Sequence, residues 1–329
     1  MEQYKQYFSP IPAFLRRLAE TPPMERLKGV GMNCGCEYTA FPRFQGLQAY
    51  SRFDHSLGVA LLVWRFTGSE AQAAAGLLHD VATPVFAHVV DFLRGDHLTQ
   101  EATEDGTREM IDASPALQAA LHAQGLSTQD VCDYHRYPIA DNDSPRLSAD
   151  RLEYTLGNSI NYGFWMPRDA AACCNDLAVA ENEEGQPELA FRTAEMAERF
   201  ARVALRCAEI YVAEDDRLAM QLLAELLGRN IRTGVLTPDD LYTTEAQVIA
   251  KLCADPDGAR QWADFRRLHR VVSRSAPGST GIWRRVPAKK RFIDPLVQGR
   301  GRVSTLCAAF RLQKEEFLAR PQTDWLGGE

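Results

Sequence analysis

Residues 51–91 read SRFDHSLGVALLVWRFTGSEAQAAAGLLHDVATPVFAHVVD, and this stretch decides the fold. His55 stands at the mouth of one apolar run, and the pair His79-Asp80 closes a second. His88 and Asp91 follow, and far downstream Asp150 opens ADRLEYTLGNSINYG. Imidazole and carboxylate together suit a divalent transition metal, and four protein ligands leave coordination positions open for water. Adjacent residues on a helix point about 100° apart, so His79 and Asp80 can share an ion only beyond the helix end. His55 and Asp150 would then come from two other helices.

Working outward, the chain reads as mostly helical. IPAFLRRLAETPPMERLK, 11–28, predicts two short helical pieces broken at Pro22-Pro23. Residues 29–50 carry Gly, Cys, Pro and aromatics without a period and read as loop or short strand. Buried helices are expected over 56–66 and 70–78, and Pro84 suits the first turn of a third helix through Phe92. Residues 99–123 predict two helices and 127–134 a short one, with a loop over 137–146 and a helix over 147–156 that includes Asp150. EEGQPE, 183–188, is a turn, and the apolar spacing of 193–227 is that of core-facing helix. Thr237-Pro238 and Thr244 each mark a helix start. Beyond residue 271 the texture alternates between Gly turns and predicts a few short strands. The fold class expected is mainly α, with a helical core over 1–180 and a helical extension plus a smaller mixed α/β part over 181–329.

Composition bounds the function. A chain of 329 residues with 45% hydrophobic and 25% charged residues can bury a large core. The net charge of −7 argues against a general nucleic-acid or anionic-membrane binder. MEQYKQYFSP has no secretory-leader pattern and no apolar run is long enough to span a bilayer, so a cytoplasmic location is expected. None of the eight cysteines forms a CxxC pair, and Cys34 and Cys36 read as buried, reduced thiols. Arg284, Arg285, Lys289, Lys290, Arg291, Arg300 and Arg302 read as a solvated strand face, with a nucleotide regulator or nucleic acid as the alternative.

RFDHSLGV, LLHDVATPVFAHVVD and ADRLEYTLGNSINYG closely resemble the HD-domain metal-dependent phosphohydrolases, above all the branch of deoxynucleoside triphosphate triphosphohydrolases and related bacterial HD proteins. TPPMERLKGVG, FARVALRCAEIYVAEDDRLAMQLLAELL and AKKRFIDPLV extend the resemblance over most of the chain. It implies an HD-domain helical core, with His55, His79, Asp80 and Asp150 as ligands of one divalent ion, whether Mn, Fe, Zn, Co or Ni. It implies phosphate contacts from Arg52 and His88, Asp91 as the partner that orients the catalytic histidine, Tyr154 beside the phosphates, and Asn158 at the sugar 3′-hydroxyl.

Two positions depart from that pattern. Thr83 stands where relatives of this branch carry a histidine, and Thr103 replaces the histidine of a His-Glu pair of which Glu104 remains. A threonine cannot act as a general acid near neutral pH. His97 lies nearby in sequence without a spacing that favours it as a substitute. The function expected is therefore a metal-dependent phosphohydrolase acting on a nucleotide or other small phosphoester through a metal-bound water, with Asp80, His88, Asp91 and Glu104 as its catalytic residues. The alternatives are triphosphohydrolase activity and a non-catalytic nucleotide sensor. A homo-oligomer is left open as a further partner.

Overall fold

The computed structural model describes residues 10–94, 106–322 and 324–329. Glu104, Thr103 and His97, with the start of the helix pair expected over 99–123, lie outside them. The chain opens with α1 (Ala13–Ala19) and α2 (Pro22–Arg26), the latter begun by its N-terminal proline. Leu27–Gly29, Cys36–Tyr38 and Pro42–Phe44 are single 3-10 turns, and Gly31 makes an isolated antiparallel bridge to Ser51. α3 (Arg52–Thr67) follows, started by a capping box between Ser51 and Asp54 and stopped at Gly68 with φ 62°. It is buried from Ser56 to Val63 and packs on the alanine-rich α4 (Glu70–Leu78). A helix apolar on every side belongs inside a protein, and this pair is the centre of the core.

The helix expected to begin at Pro84 does not. Residues 81–88 are turns in which Phe86 (φ 58°) and Ala87 (φ 43°) take left-handed conformations that no helix accommodates. The Val85 N–H donates instead to the Leu241 carbonyl at 2.7 Å, and α5 (Val89–Arg94) starts five residues late. α6 (Thr107–Asp112), α7 (Pro115–His122) and α8 (Thr128–Val131) wrap this edge, and α9 (Ala149–Asn161) returns to the core after the polar loop. The run over 193–227 divides at Val212 into α11 (Ala194–Tyr211) and α12 (Glu214–Arg232), after α10 (Pro167–Asp176). α13 (Glu245–Ala254) and α14 (Pro256–Arg267) complete the main helical body.

Strand structure begins earlier than residue 271. β1 (Leu177–Glu181) and β2 (Pro187–Phe191) pair antiparallel around the polar turn, with Leu177 opposite Phe191. Two-residue strands β5 (Leu296–Val297) and β6 (Gly301–Arg302) extend this sheet in the order β1-β2-β5-β6, β2 and β5 running parallel. β3 (Val271–Arg274) and β4 (Trp283–Arg284) flank β7 (Trp325–Gly328) in a second, antiparallel sheet. α15 (Val303–Leu306) and α16 (Ala308–Ala319) precede β7. The architecture is mainly α with two small sheets.

Candidate metal centre

Three helix ends converge. Arg52 and His55 occupy the first turn of α3, His79 and Asp80 the C-terminal end of α4, and Asp150 the first turn of α9. The long-range register of α9 is set by main-chain bonds from Ala149 to Ile139 (2.8 Å) and from Asp150 to Ala140 (3.2 Å). Ligand atoms of His55, His79 and Asp80 lie within 4.8 Å of one another, and all three residues are buried. Asp150 Oδ1 reaches His55 Nε2 at 3.0 Å and His79 Nε2 at 3.7 Å. Asp150 thus lies beside the cluster of His55, His79 and Asp80, within 4 Å of both imidazoles.

The donor set fits a divalent ion because the far side of each imidazole is committed. His79 Nδ1 bonds the Gly76 carbonyl at 2.8 Å, which requires the proton on Nδ1 and leaves a lone pair on Nε2. The Tyr134 ring lies against His79 with centroids 4.8 Å apart. His55 Nδ1 lies 2.7 Å from Glu153 Oε2, and the same oxygen accepts from the Tyr50 hydroxyl at 2.5 Å. Burial pushes the Glu153 carboxyl well up, while its Oε2 stands within hydrogen-bond reach of both His55 and Tyr50. Gly58 and Gly157 make room for this network. A Cβ at 58 would overlap the Glu153 carboxyl, and one at 157 would overlap the Tyr50 phenol.

Charge follows the same logic. Burial alone would raise the Asp80 carboxyl, but Arg52, His79 and His55 hold it well below the ordinary carboxylate range. Asp150 is lowered to about 2, burial being outweighed by the His55 hydrogen bond and the nearby imidazoles. Burial lowers His55, which favours the neutral imidazole that a metal needs.

Around this cluster, Arg52 is 7% exposed and its Nη1 donates to Asp80 Oδ2 at 3.0 Å, while its Nε has no partner among the described residues. Thr83, fully buried, donates its hydroxyl to Asp80 Oδ1 at 2.6 Å. His88 Nδ1 pairs with Asp91 Oδ2 at 2.9 Å. Asn158 Nδ2 donates to the Tyr211 hydroxyl at 2.7 Å, and the Tyr211 and Tyr154 rings meet edge to face at 6.3 Å. Glu104 lies outside the described residues.

Sequence reasoning missed Glu153, Tyr50, Tyr134 and Tyr211, and also Glu245. The Glu245 carboxylate accepts from the Gly31 N–H (2.8 Å) and the Tyr38 hydroxyl (2.8 Å), and the Phe86 main chain lends it a further bond. Gly31 bridges to Ser51 and Phe86 lies two residues before His88, so one buried carboxylate ties together the segments carrying Arg52 and His88. A glutamate three residues beyond an aspartate on one helix is a pattern visible in the sequence for Glu153. Nothing local marks Glu245.

The cysteines are free, and burial pushes the Cys34 thiol up to about 12 and the Cys36 thiol well above its ordinary value, so both are inert neutral thiols. The basic residues expected on one strand face are dispersed. Arg302 is bound between Glu183 and Glu188, Arg284 pairs with Glu225 at 2.6 Å, and Arg285 lies over Trp325. Among the described residues no helix is long and apolar enough to cross a membrane.

No family model matches the chain. It is 27% identical over 241 residues to the uncharacterized protein YdhJ of Bacillus subtilis, covering 73% of this chain and 70% of that one. It is 24% identical over 308 residues to the metal-dependent phosphohydrolase cns2 of Cordyceps militaris, covering 87% and 81%. A phosphohydrolase crystal structure from Bacteroides thetaiotaomicron shares the fold with a TM-score of 0.67 at 16% identity, over 97% of this chain and 96% of that one. Together with the His-His-Asp cluster, these likenesses support a hydrolase enzyme. They do not assign it to the triphosphohydrolase branch.

Proposed function

We propose that this protein is a metal-dependent phosphohydrolase acting on a nucleotide or a similarly small phosphorylated compound. The observation that carries the reading is the meeting of two imidazoles and two carboxylates from three helices beside a buried arginine. His55, His79, Asp80 and Asp150 would hold the ion. When bound, a divalent ion lowers the pKa of a coordinated water and polarises a phosphoryl oxygen.

The chain's own residues set the rest. Arg52 has one nitrogen anchored on Asp80 and an Nε without a partner among the described residues, and its guanidinium would serve a phosphate oxygen. Asp91 fixes the His88 ring through Nδ1, which leaves Nε2 to hold or deliver a proton at the substrate. Tyr154, Tyr211 and Asn158 form a polar, aromatic wall for the remainder of the substrate. The cost of losing a second histidine is visible at Thr83, whose hydroxyl proton is committed to Asp80. Proton delivery to a poor leaving group is therefore thin, and we infer that substrates with weakly basic leaving groups, such as phosphoanhydrides and activated phosphoesters, turn over faster than a deoxynucleoside triphosphate cleaved at its sugar oxygen.

Metal analysis of the purified protein, followed by product analysis over a panel of nucleotides and aryl phosphates, tests both parts. Asp150→Ala and His79→Ala should strip the metal and abolish turnover. A protein that binds nucleotide and metal but releases no product would be a sensor, and efficient triphosphate release would restore the triphosphohydrolase reading.

A further inference from the structure

The C-terminal end of α11 borders a cavity of about 480 Å³. Arg206, Glu209, Ile210 and Ala213 line it at helical spacing, with Arg217 of α12 beside them and Lys290, Phe317 and Arg320 opposite. Five cations face two carboxylates, Arg43 being the fifth and Glu214 joining Glu209. Two of the cations are neutralised, Arg43 by Asp215 at 2.9 Å and Arg320 by Glu209 at 3.3 Å.

The other three have no carboxylate oxygen within 4.0 Å among the described residues. Arg217 is 4% exposed, and its Nε and Nη1 donate only to the main-chain carbonyls of Val212 (2.9 Å) and Val286. Lys290 Nζ donates to the carbonyls of Leu318 (2.7 Å) and Arg320 and lies over the Phe317 ring. The Arg206 guanidinium covers Phe164, 3.8 Å from the ring centroid. Burial of the Arg217 guanidinium is only partly offset by the more distant charges of Glu214, Asp216 and Asp324, and adjacent cations add repulsion that a bound anion removes. Burial and the neighbouring Arg320 hold Lys290 below the usual lysine range, which is the same imbalance seen from its proton.

We propose that this cavity binds an oligophosphate, either free or as the phosphate tail of a nucleotide, with Arg206, Arg217 and Lys290 as its counter-charges. Each is fixed by a carbonyl or a ring before the ligand arrives, so little ordering is left to the moment of binding. The site is independent of the phosphohydrolase reading, because it uses none of the residues around the metal cluster.

The test is calorimetric titration of the full, metal-free chain with inorganic tripolyphosphate, and separately with ATP. Arg206→Glu and Lys290→Glu should each weaken binding by roughly tenfold or more, since each converts a charge-assisted contact into a repulsion. Arg52→Ala should leave the component of binding that depends on Arg206 and Lys290 unchanged. Thermal melts of all variants establish that they are folded. ATP binding tighter than tripolyphosphate would make the ligand a nucleotide, and equal affinity would make it the oligophosphate itself. No binding by the unmodified protein, undiminished affinity in both charge reversals, or loss confined to Arg52→Ala would each overturn the proposal.

Discussion

Glu153→Ala should loosen the metal centre without touching a ligand. Glu153 is fully buried, and its Oε2 serves His55 Nδ1 at 2.7 Å and the Tyr50 hydroxyl at 2.5 Å. Truncation leaves two buried donors unpaired at about 1–3 kcal/mol each, so stability should fall by roughly 2–6 kcal/mol. It also frees the His55 ring to rotate or to carry its proton on Nε2, which would block that nitrogen as a ligand. Loss of such an outer partner typically weakens a metal site about 10–100-fold, equivalent to roughly 1.4–2.7 kcal/mol. Glu153→Gln keeps an oxygen where Oε2 stands and should cost less than about tenfold. Metal content measured after dialysis against graded chelator gives the affinity, and thermal unfolding of the metal-free proteins separates it from folding. A folded Glu153→Ala protein with unaltered metal affinity would refute the role assigned to this network.

Arg52→Ala should raise the Michaelis constant while metal content stays near normal, and Arg52→Lys should recover only part, because a point charge cannot reproduce the guanidinium fork; unchanged constants in both variants would make Arg52 structural. Thr83→Val keeps the shape of the side chain but removes its 2.6 Å bond to the Asp80 carboxylate. That loss should cost about 1.5–3 kcal/mol in thermal or denaturant unfolding, and no change would mean the bond contributes nothing. Glu37, raised to about 8 by burial and by the charge of Glu245, keeps its proton when folded and sheds it when unfolded between its ordinary 4.5 and that value. The folded state therefore binds more protons in this window, and stability should decline as pH rises through it. Glu37→Gln should flatten that decline in unfolding curves taken across the range, whereas a slope identical to the unmodified protein would show that Glu37 does not keep a raised pKa in the fold.

Much of the site was legible in sequence because its residues sit at helix ends that announce themselves. Ser51 and Asp54 cap the helix that carries His55, and the alanine-rich run ending at Leu78 places His79 and Asp80 at a terminus. Spacing and local propensity act within a few residues, and those rules hold for α3, α4 and α9. Where long-range contacts outweigh propensity, the sequence misleads. Pro84 suits a helix start, yet the Val85 bond to Leu241 and the left-handed Phe86 and Ala87 delay it to Val89. The β1–β2 hairpin escaped notice because only its polar turn is distinctive, and β5 and β6 are too short for any alternation to show.

Burial is the larger divide. A run of basic residues near the C-terminus looks like one surface, but tertiary packing sends Arg302 to Glu188, Arg284 to Glu225 and Lys290 to a cavity at the C-terminal end of α11. Glu153 and Tyr50 stand 103 residues apart, and only the glycines at 58 and 157 let them meet behind His55. The identity of the candidate metal-ligating residues is a local pattern that the sequence alone can carry. Which nitrogen of each imidazole is free, which carboxylate is ionised and which cation lacks a partner depend on groups brought together from the whole chain, and those are properties of the folded protein alone.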